Sequence, residues 1–163
     1  MDVLVKRVLH VCITVPDLDE ALKFYRDVLG FTSVFETRSD DADGPLLGFE
    51  QDAIGLYAHH LMTVGADPDQ ATQINLVEFT NPKTNVADGP YDEMNHVGIT
   101  RLALLVDSVD EAFERIRSYP GVQTVCAPKD IIIREPEASF TTRWLSFKDP
   151  YGVFMTMTQA PRT

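Results

Sequence analysis

The chain has few of the residues that mark several common protein classes. Its 163 residues include two cysteines, Cys12 and Cys126, and a single tryptophan. Two thiols do not make a disulfide framework, and no apolar run approaches the length that crosses a bilayer. The first residues run into a strand pattern without a signal peptide, so we expect a cytoplasmic protein with reduced, buried thiols.

Basic residues are scarce as well. The chain has 14 Lys and Arg against 25 Asp and Glu, a formal net charge of -11. Because phosphate backbones and anionic membrane surfaces require concentrated Lys and Arg, we expect neither nucleic acid nor a membrane as a partner. A small-molecule ligand is the expected partner instead, since one buried Arg can hold an anion inside an acidic protein. The acidic surface is typical of charge that keeps a protein soluble.

An internal repeat is the most informative feature that the sequence does contain. Residues 10–31 align with residues 101–122 without a gap, every position being displaced by 91. Identical pairs include Val15 with Val106, Asp19 with Asp110, Glu20 with Glu111, Ala21 with Ala112, Arg26 with Arg117 and Gly30 with Gly121. A repeat of this length is a whole supersecondary unit, so it predicts two copies of one module.

Each copy has the pattern of a strand, a helix and three further strands. Residues 8–15 alternate as a strand that places His10 and Cys12 on one face. A capping box at residues 17–20 begins a helix that ends at Gly30, and residues 108–111 begin its counterpart. The later strands are predicted at residues 31–37, 55–64 and 74–80, with polar loops at 39–45 and 65–70, and in the second copy at 122–127, 142–147 and 153–158.

These elements predict an α+β protein of two tandem βαβββ modules. The modules cover residues 1–82 and 98–163, joined by a linker at 83–97 that is rich in turn-forming residues. We expect a curved mixed sheet around a cleft, with the helices outside.

The segment from His10 to Tyr25, closing with Leu29-Gly-Phe31, resembles the opening signature of the vicinal oxygen chelate superfamily. That group includes glyoxalase I, methylmalonyl-CoA epimerase, extradiol dioxygenases and bleomycin- and fosfomycin-resistance proteins. Residues 147–152, Phe-Lys-Asp-Pro-Tyr-Gly, resemble the hairpin before the last strand of the family. The resemblance implies a homodimer, and metal ligands taken from the first and fourth strands of each module.

Carried over residue by residue, the resemblance gives only half of a metal site. His10 and Glu78 occupy the two positions of the first module, whereas Arg101 and Thr156 stand where the second module usually has His and Glu. Two ligands rarely hold a catalytic Zn, Ni, Fe or Mn ion, and a fixed guanidinium repels one. We therefore expect no cofactor, with His10 and Glu78 as the half site for any divalent metal.

The same residues are the predicted catalytic groups. Arg101 either pairs with Glu78 or holds a carboxylate, phosphate or enolate oxygen of a ligand, while His10 or Glu78 moves a proton. The predicted function is proton transfer of the isomerase, epimerase or lyase type on a small metabolite, without the four-ligand metal. The alternatives are a non-catalytic binding or resistance protein and a metal-dependent lactoylglutathione lyase.

Three further residues are predicted to contact the ligand. Thr156 supplies a hydroxyl, Phe154 shares its strand face, and Cys12 shares the face of His10, although a packed thiol is its alternative role. The neighbouring residues His59 and His60 point to opposite faces of a regular strand, so at most one of them faces the cleft.

Overall fold

The computed structural model describes residues 4–87, 89–134 and 139–160. The chain divides into two compact units, Met1–Ala87 and Asp88–Thr163. The ends of the predicted modules, residues 1–3 and 161–163, lie outside the described residues.

Both units have the predicted order of strand, helix and three strands, which confirms the α+β class. The first contains β1 (His10–Thr14), α1 (Leu18–Leu22), a π-helical segment (Lys23–Val28), β2 (Phe31–Asp43), a short 3-10 helix (Pro45–Leu47), β3 (Ala53–Thr63) and β4 (Gln73–Asn81). The second contains β5 (Leu102–Leu105), α2 (Val109–Ile116), β6 (Gln123–Arg134), β7 (Ser139–Lys148) and β8 (Phe154–Thr158). No described helix is long and apolar enough to cross a membrane.

Each unit contains one four-stranded mixed sheet. The strand orders are β1-β4-β3-β2 and β5-β8-β7-β6, with β1 parallel to β4 and β5 parallel to β8. The registers are equivalent, since Ile13 lies beside Leu76 and Leu104 lies beside Met157. The two modules therefore match residue by residue in their parallel strand pairs, and not only in the stretch that the sequence repeat covers.

Both helices begin as the capping boxes predicted. The side chain of Asp17 accepts from the Glu20 amide at 3.0 Å, and Ser108 accepts from the Glu111 amide at 3.3 Å. A helix leaves its first amides without intrahelical partners, so these side chains stabilise the first turn.

The first helix departs from the regular helix that was predicted to run to Gly30. From Lys23 to Val28 it is a π-helix, and the Leu29 amide donates to the Phe24 carbonyl at 3.0 Å. Phe24 and Tyr25 are both fully buried, with their rings edge to face at 5.6 Å. The wider winding of a π-helix lets these two neighbouring rings pack on the buried side, which a regular helical turn does not favour.

Two strands extend far beyond their predicted ends, and the predicted loop at residues 39–45 is wrong over most of its length. β2 continues to Asp43, with Ser39 beside Leu56 and Ala42 beside Ile54, and β6 continues to Arg134. Both strands are the last in their sheets. The added part of β2, Ser39–Asp43, is almost entirely polar, and the added part of β6 has three isoleucines in a row. Neither has the apolar/polar alternation by which a strand is recognised, so both lengths were missed.

The core of each unit lies between the helix and one face of the sheet. The fully or almost fully buried side chains include Val15, Leu18, Tyr25, Leu61 and Leu76 in the first unit, and Val109, Ile116, Leu145, Phe147 and Met155 in the second. The expected burial of both thiols is wrong, since Cys12 is exposed and Cys126 is partly exposed.

Candidate functional site

Strand alternation divides the first sheet into two faces. Ile13 and Leu76 lie side by side on the face that carries α1, so His10 and Cys12 lie on the opposite face. Pairing across the sheet adds His60, which lies beside both Asn75 and Phe35. We call this surface the histidine face, and it consists of His10, Cys12, Phe35, His60, Gln73 and Asn75.

Two imidazoles are close together on the histidine face. The ring centroids of His10 and His60 are 5.2 Å apart, with the rings nearly perpendicular at 85°. Nδ1 of His60 is 2.9 Å from Oε1 of Gln73. Because an amide oxygen only accepts, Nδ1 of His60 is the donor in this contact, and in the neutral ring that leaves the lone pair on Nε2. The Phe35 ring contacts His60 edge to face at 5.6 Å.

Two buried polar atoms of the histidine face lack a hydrogen-bond partner. They are Nδ1 of His10 and Oδ1 of Asn75. The Asn75 amide nitrogen donates to Sγ of Cys12 at 3.7 Å, so this contact sets the direction of the amide oxygen. Buried polar groups are almost always paired, and leaving one unpaired costs about 1–3 kcal/mol. Such atoms point to a bound species that supplies the missing partner.

The structure does not bring Glu78 together with His10. The Glu78 carboxylate accepts from the Leu18 amide at 2.9 Å, at the first turn of α1, and so lies on the helix-bearing face. The prediction that His10 and Glu78 share a cleft as the two ligands of one metal is therefore corrected. Glu78 stabilises the helix N-terminus, where a negative charge is favoured.

A second polar face lies on the sheet of the other unit. Ser146 and Ala103 both lie beside Thr156, and Phe154 precedes Thr156 by two residues on the same face. Arg101 places its guanidinium carbon 5.9 Å from the centre of the Trp144 ring. We call this surface the arginine face, and it consists of Arg101, Trp144, Ser146, Phe154 and Thr156.

The arginine face also contains two buried polar atoms without a partner, Nε1 of Trp144 and Oγ1 of Thr156. Thr156 is only 6% exposed. In the described part of the chain, the buried side-chain atoms without a partner are these two and the two on the histidine face. All four lie on the predicted ligand-binding sides of the two sheets.

The equivalent registers show which residues correspond between the faces. Because Leu76 corresponds to Met157, the residues that precede them, Asn75 and Thr156, correspond as well. The counterpart of Glu78 is Gln159, whose Oε1 accepts from the Val109 amide at 3.1 Å. The prediction that Glu78 and Thr156 occupy equivalent positions is wrong, because the two residues point to opposite faces of their sheets.

Six residues of these faces were not predicted as site residues. They are Phe35, His60, Gln73, Asn75, Trp144 and Ser146. In each module one residue near the end of the fourth strand caps the helix, Glu78 in the first and Gln159 in the second. Asn75 lies three residues before Glu78, just as Thr156 lies three residues before Gln159. This equivalence could have identified Asn75. Of the predicted ligand contacts, Cys12 lies on the histidine face, and Phe154 and Thr156 lie on the arginine face.

The donors on these faces do not fit the four-ligand metal site that the resemblance implies. The histidine face offers two imidazoles, the Cys12 thiol and neutral amides but no carboxylate, and the arginine face contains a permanently charged guanidinium. In residues 4–87, 89–134 and 139–160 no cluster of three or more His, Cys, Asp or Glu side chains could hold a metal ion.

His59 lies away from the histidine face, in a polar network beneath α1. Its Nδ1 is 2.7 Å from Oγ of Ser33, and its Nε2 is 3.0 Å from the hydroxyl of Tyr57 and 3.8 Å from Glu36. Burial lowers the pKa of His59 and Arg26 lowers it further, against the opposing effect of Glu36. Burial, followed by Glu36, raises the pKa of Tyr57. This network is satisfied internally and leaves no vacant partner for a ligand.

The chain belongs to the glyoxalase/bleomycin resistance protein/dioxygenase superfamily, whose family model matches residues 7–155. A relative from Actinomyces sp, 2-epi-5-epi-valiolone epimerase, is 29% identical over 152 residues, which cover 93% of this chain and 78% of the relative.

Solved structures show the same fold at lower identity. A glyoxalase family protein from Bacillus cereus is 21% identical with a TM-score of 0.73, over 95% of this chain and 94% of that one. Glyoxalase I from Zea mays is 19% identical with a TM-score of 0.62, over 96% of this chain and 46% of its own. TnmS3, an antibiotic binding protein from Streptomyces sp. CB03234, is 21% identical with a TM-score of 0.58, over 99% and 100% of the two chains.

Proposed function

We propose that this member of the superfamily is an epimerase, which moves a proton at a carbon next to a carbonyl group in a small hydroxylated metabolite. The observation that carries the proposal is the pair of imidazoles on the histidine face, His10 and His60, beside the unpartnered Oδ1 of Asn75. The similarity to 2-epi-5-epi-valiolone epimerase supports this reaction class.

The two histidines suit this chemistry. A hydrogen next to a carbonyl can be removed because the resulting negative charge moves onto the oxygen, and imidazole exchanges protons near neutral pH. His60 donates from Nδ1 to Gln73, so in the neutral ring its Nε2 is the basic nitrogen. Among the described residues Nδ1 of His10 has no hydrogen-bond partner, so it is available to bind the substrate or to hold the abstracted proton.

The arrangement of the two rings also restricts where the returning proton comes from. Both imidazoles project from one face of one sheet, 5.2 Å apart. They cannot stand on opposite sides of a flat enolate, so inversion requires a proton from water or from a group beyond this face. We therefore expect the inverted carbon to acquire a hydrogen that has exchanged with solvent.

Asn75 orients the substrate in this scheme. Its Oδ1 only accepts hydrogen bonds, so the group that satisfies it is a donor, such as a substrate hydroxyl. Glu78 takes no part in proton transfer here, since its carboxylate is held at the start of α1.

The reaction is tested by incubating the protein in deuterated water with 2-epi-5-epi-valiolone and other small hydroxylated ketones. We expect proton NMR to show the signal at one carbon disappearing as the epimer forms with deuterium there. His10→Gln and His60→Gln should each lower the rate at least about 100-fold. His96→Gln is the matched control, because His96 stacks on Tyr91 in the other unit, with ring centroids 4.5 Å apart.

Two other functions give different outcomes. The first alternative is a binding protein, which the similarity to the antibiotic binding protein TnmS3 suggests. Such a protein would bind a ketone without exchanging the hydrogens of that ketone. Lactoylglutathione lyase activity would appear with methylglyoxal and glutathione. Binding without exchange for every ketone would overturn the epimerase proposal. A cytoplasmic homodimer stays a prediction, and sedimentation of the purified protein tests the dimer.

A further inference from the structure

We propose that the arginine face is an anion-binding site, which holds the negatively charged oxygens of a phosphate or carboxylate group. The proposal concerns the second unit alone and does not depend on the epimerase reaction.

The unsatisfied groups of this face are suited to a ligand that accepts hydrogen bonds. The Trp144 indole nitrogen can only donate, the Arg101 guanidinium carries five N–H donors and no acceptor, and the Thr156 hydroxyl can donate. The indole nitrogen and the hydroxyl are buried without partners. Oxygen atoms with negative charge satisfy all three groups together, and charge-assisted bonds to them are the stronger kind.

Strand pairing places these groups on one surface. Thr156 lies beside Ser146 on one side and beside Ala103 on the other, and Arg101 immediately precedes β5. Trp144 is two residues before Ser146, and its ring lies under the Arg101 guanidinium. The aromatic ring supports the planar cation, which leaves the edge of the guanidinium free to bind.

The charge on this face is not compensated from within the unit. In the described part of the second unit no carboxylate forms an ion pair with Arg101. Two further cations lie on this side of the sheet, Lys129 beside Trp144 and Lys148 beside Phe154, and Asp92 pairs with Lys148. Among the described residues Arg101 is thus a cation without an ion-pair partner, on the same face as two buried unpaired polar groups.

The first module lacks this combination at the equivalent positions. His10 stands where Arg101 does and Asn75 stands where Thr156 does, and the unpaired Asn75 oxygen is an acceptor. An acceptor repels an anion at short range. The anion site is therefore specific to the second module and is not a property of the shared fold.

The site can be measured directly because Trp144 is the only tryptophan of the chain. The full chain is titrated with inorganic phosphate and, separately, with acetate, at constant ionic strength maintained with potassium chloride. We expect a saturable change in tryptophan emission with at least one of the two anions, and the more effective anion identifies the ligand group as phosphate or carboxylate.

Variants separate this site from a general salt effect. Arg101→Gln should weaken the apparent affinity at least about tenfold, and Thr156→Val should weaken it about threefold, the loss of one hydrogen bond. Arg117→Gln removes the same charge from an exposed residue that pairs with Glu114 at 2.8 Å, and should leave the titration unchanged.

Three results would overturn the proposal. They are no saturable change with either anion, an equal response to chloride, and equal affinities in Arg101→Gln and Arg117→Gln. If His10→Gln loses the epimerase reaction but keeps the anion titration, the two proposals are independent of each other.

Discussion

The two modules have equivalent backbones and opposite chemistry on one sheet face. The register of β1 on β4 is reproduced by β5 on β8, and a side chain from the fourth strand caps the helix in both. On the predicted ligand-binding side, however, His10 and Asn75 correspond to Arg101 and Thr156. Strand register and helix capping are therefore shared because the fold requires them. Side chains on the sheet face away from the helix are not constrained in this way and differ between the modules.

The helix-bearing faces differ in a second way. In the first module, His59 is buried and bonded to Ser33 and Tyr57. In the second, Arg143 forms two bonds to Asp110 of α2, at 2.7 and 2.8 Å, and one to Asp130 at 3.0 Å. One helix is therefore accompanied by a buried neutral network, and the other is joined to the sheet by ion pairs, which are more sensitive to salt.

The largest expected effect is that of His10→Gln, which should impair proton exchange and leave anion binding intact. We expect this change to lower the rate of proton exchange at least about 100-fold, because general acid–base groups contribute on that scale. The anion titration of Trp144 should be retained, since the groups proposed to hold the anion are Arg101, Trp144 and Thr156. Exchange is measured by NMR in deuterated water, and emission is measured on the same preparation.

The converse variant sharpens this comparison. Arg101→Gln should abolish most of the emission change with phosphate or acetate. If His10→Gln removed the anion response as strongly as Arg101→Gln does, the assignment of different chemistry to the two faces would be wrong.

The second prediction compares the two helix caps. Glu78→Ala should lower the free energy of unfolding by about 2 kcal/mol, and Gln159→Ala by about 1 kcal/mol, because a negative acceptor at a helix N-terminus is favoured over a neutral one. Glu78→Gln is the matched control and should lose only the difference. Urea unfolding measures all three, and equal losses in both alanine variants would contradict a contribution from charge.

The third prediction compares two threonines of the second module that are equally buried, each 6% exposed. The Thr142 hydroxyl lies 2.9 Å from the Gln159 carbonyl, whereas the Thr156 hydroxyl has no partner. Thr142→Val should therefore destabilise the fold by about 1 kcal/mol, and Thr156→Val should stabilise it by a similar amount while weakening anion binding.

Thermal or urea unfolding distinguishes the two variants by sign. A loss of stability in both would mean that the Thr156 hydroxyl has a partner in the free protein, and the site would lose one of its two unpaired groups.

The sequence was sufficient for the modules and insufficient for the site. A constant displacement of 91 predicted the two modules, and the spacing of Asp17 and Glu20 predicted the start of the first helix. The displacement does not extend to the fourth strands, because the intervening loops differ in length. Glu78 and Asn75 are three residues apart, an odd number, so choosing the wrong one places the site on the wrong face. Unpaired buried atoms arise only from tertiary packing, and no sequence pattern indicates them.

The smallest expected effect concerns the pH dependence of stability in the first module. Burial holds the pKa of His59 below its usual value of 6.5. The unfolded chain therefore binds a proton to this residue at a higher pH than the folded protein does. Stability rises with pH wherever the unfolded state binds more protons, so His59 makes the fold less stable as pH falls below about 6.5.

His59→Gln cannot titrate, and we expect its free energy of unfolding to fall less between about pH 8 and pH 5 than that of the wild type. The charges of Glu36, Arg26 and Asp19 also influence the pKa of His59, and the variant retains all three residues. Urea unfolding at both pH values gives the two differences. An equal or steeper fall in the variant would show that His59 is protonated in the folded protein and that its network with Ser33 and Tyr57 is charged.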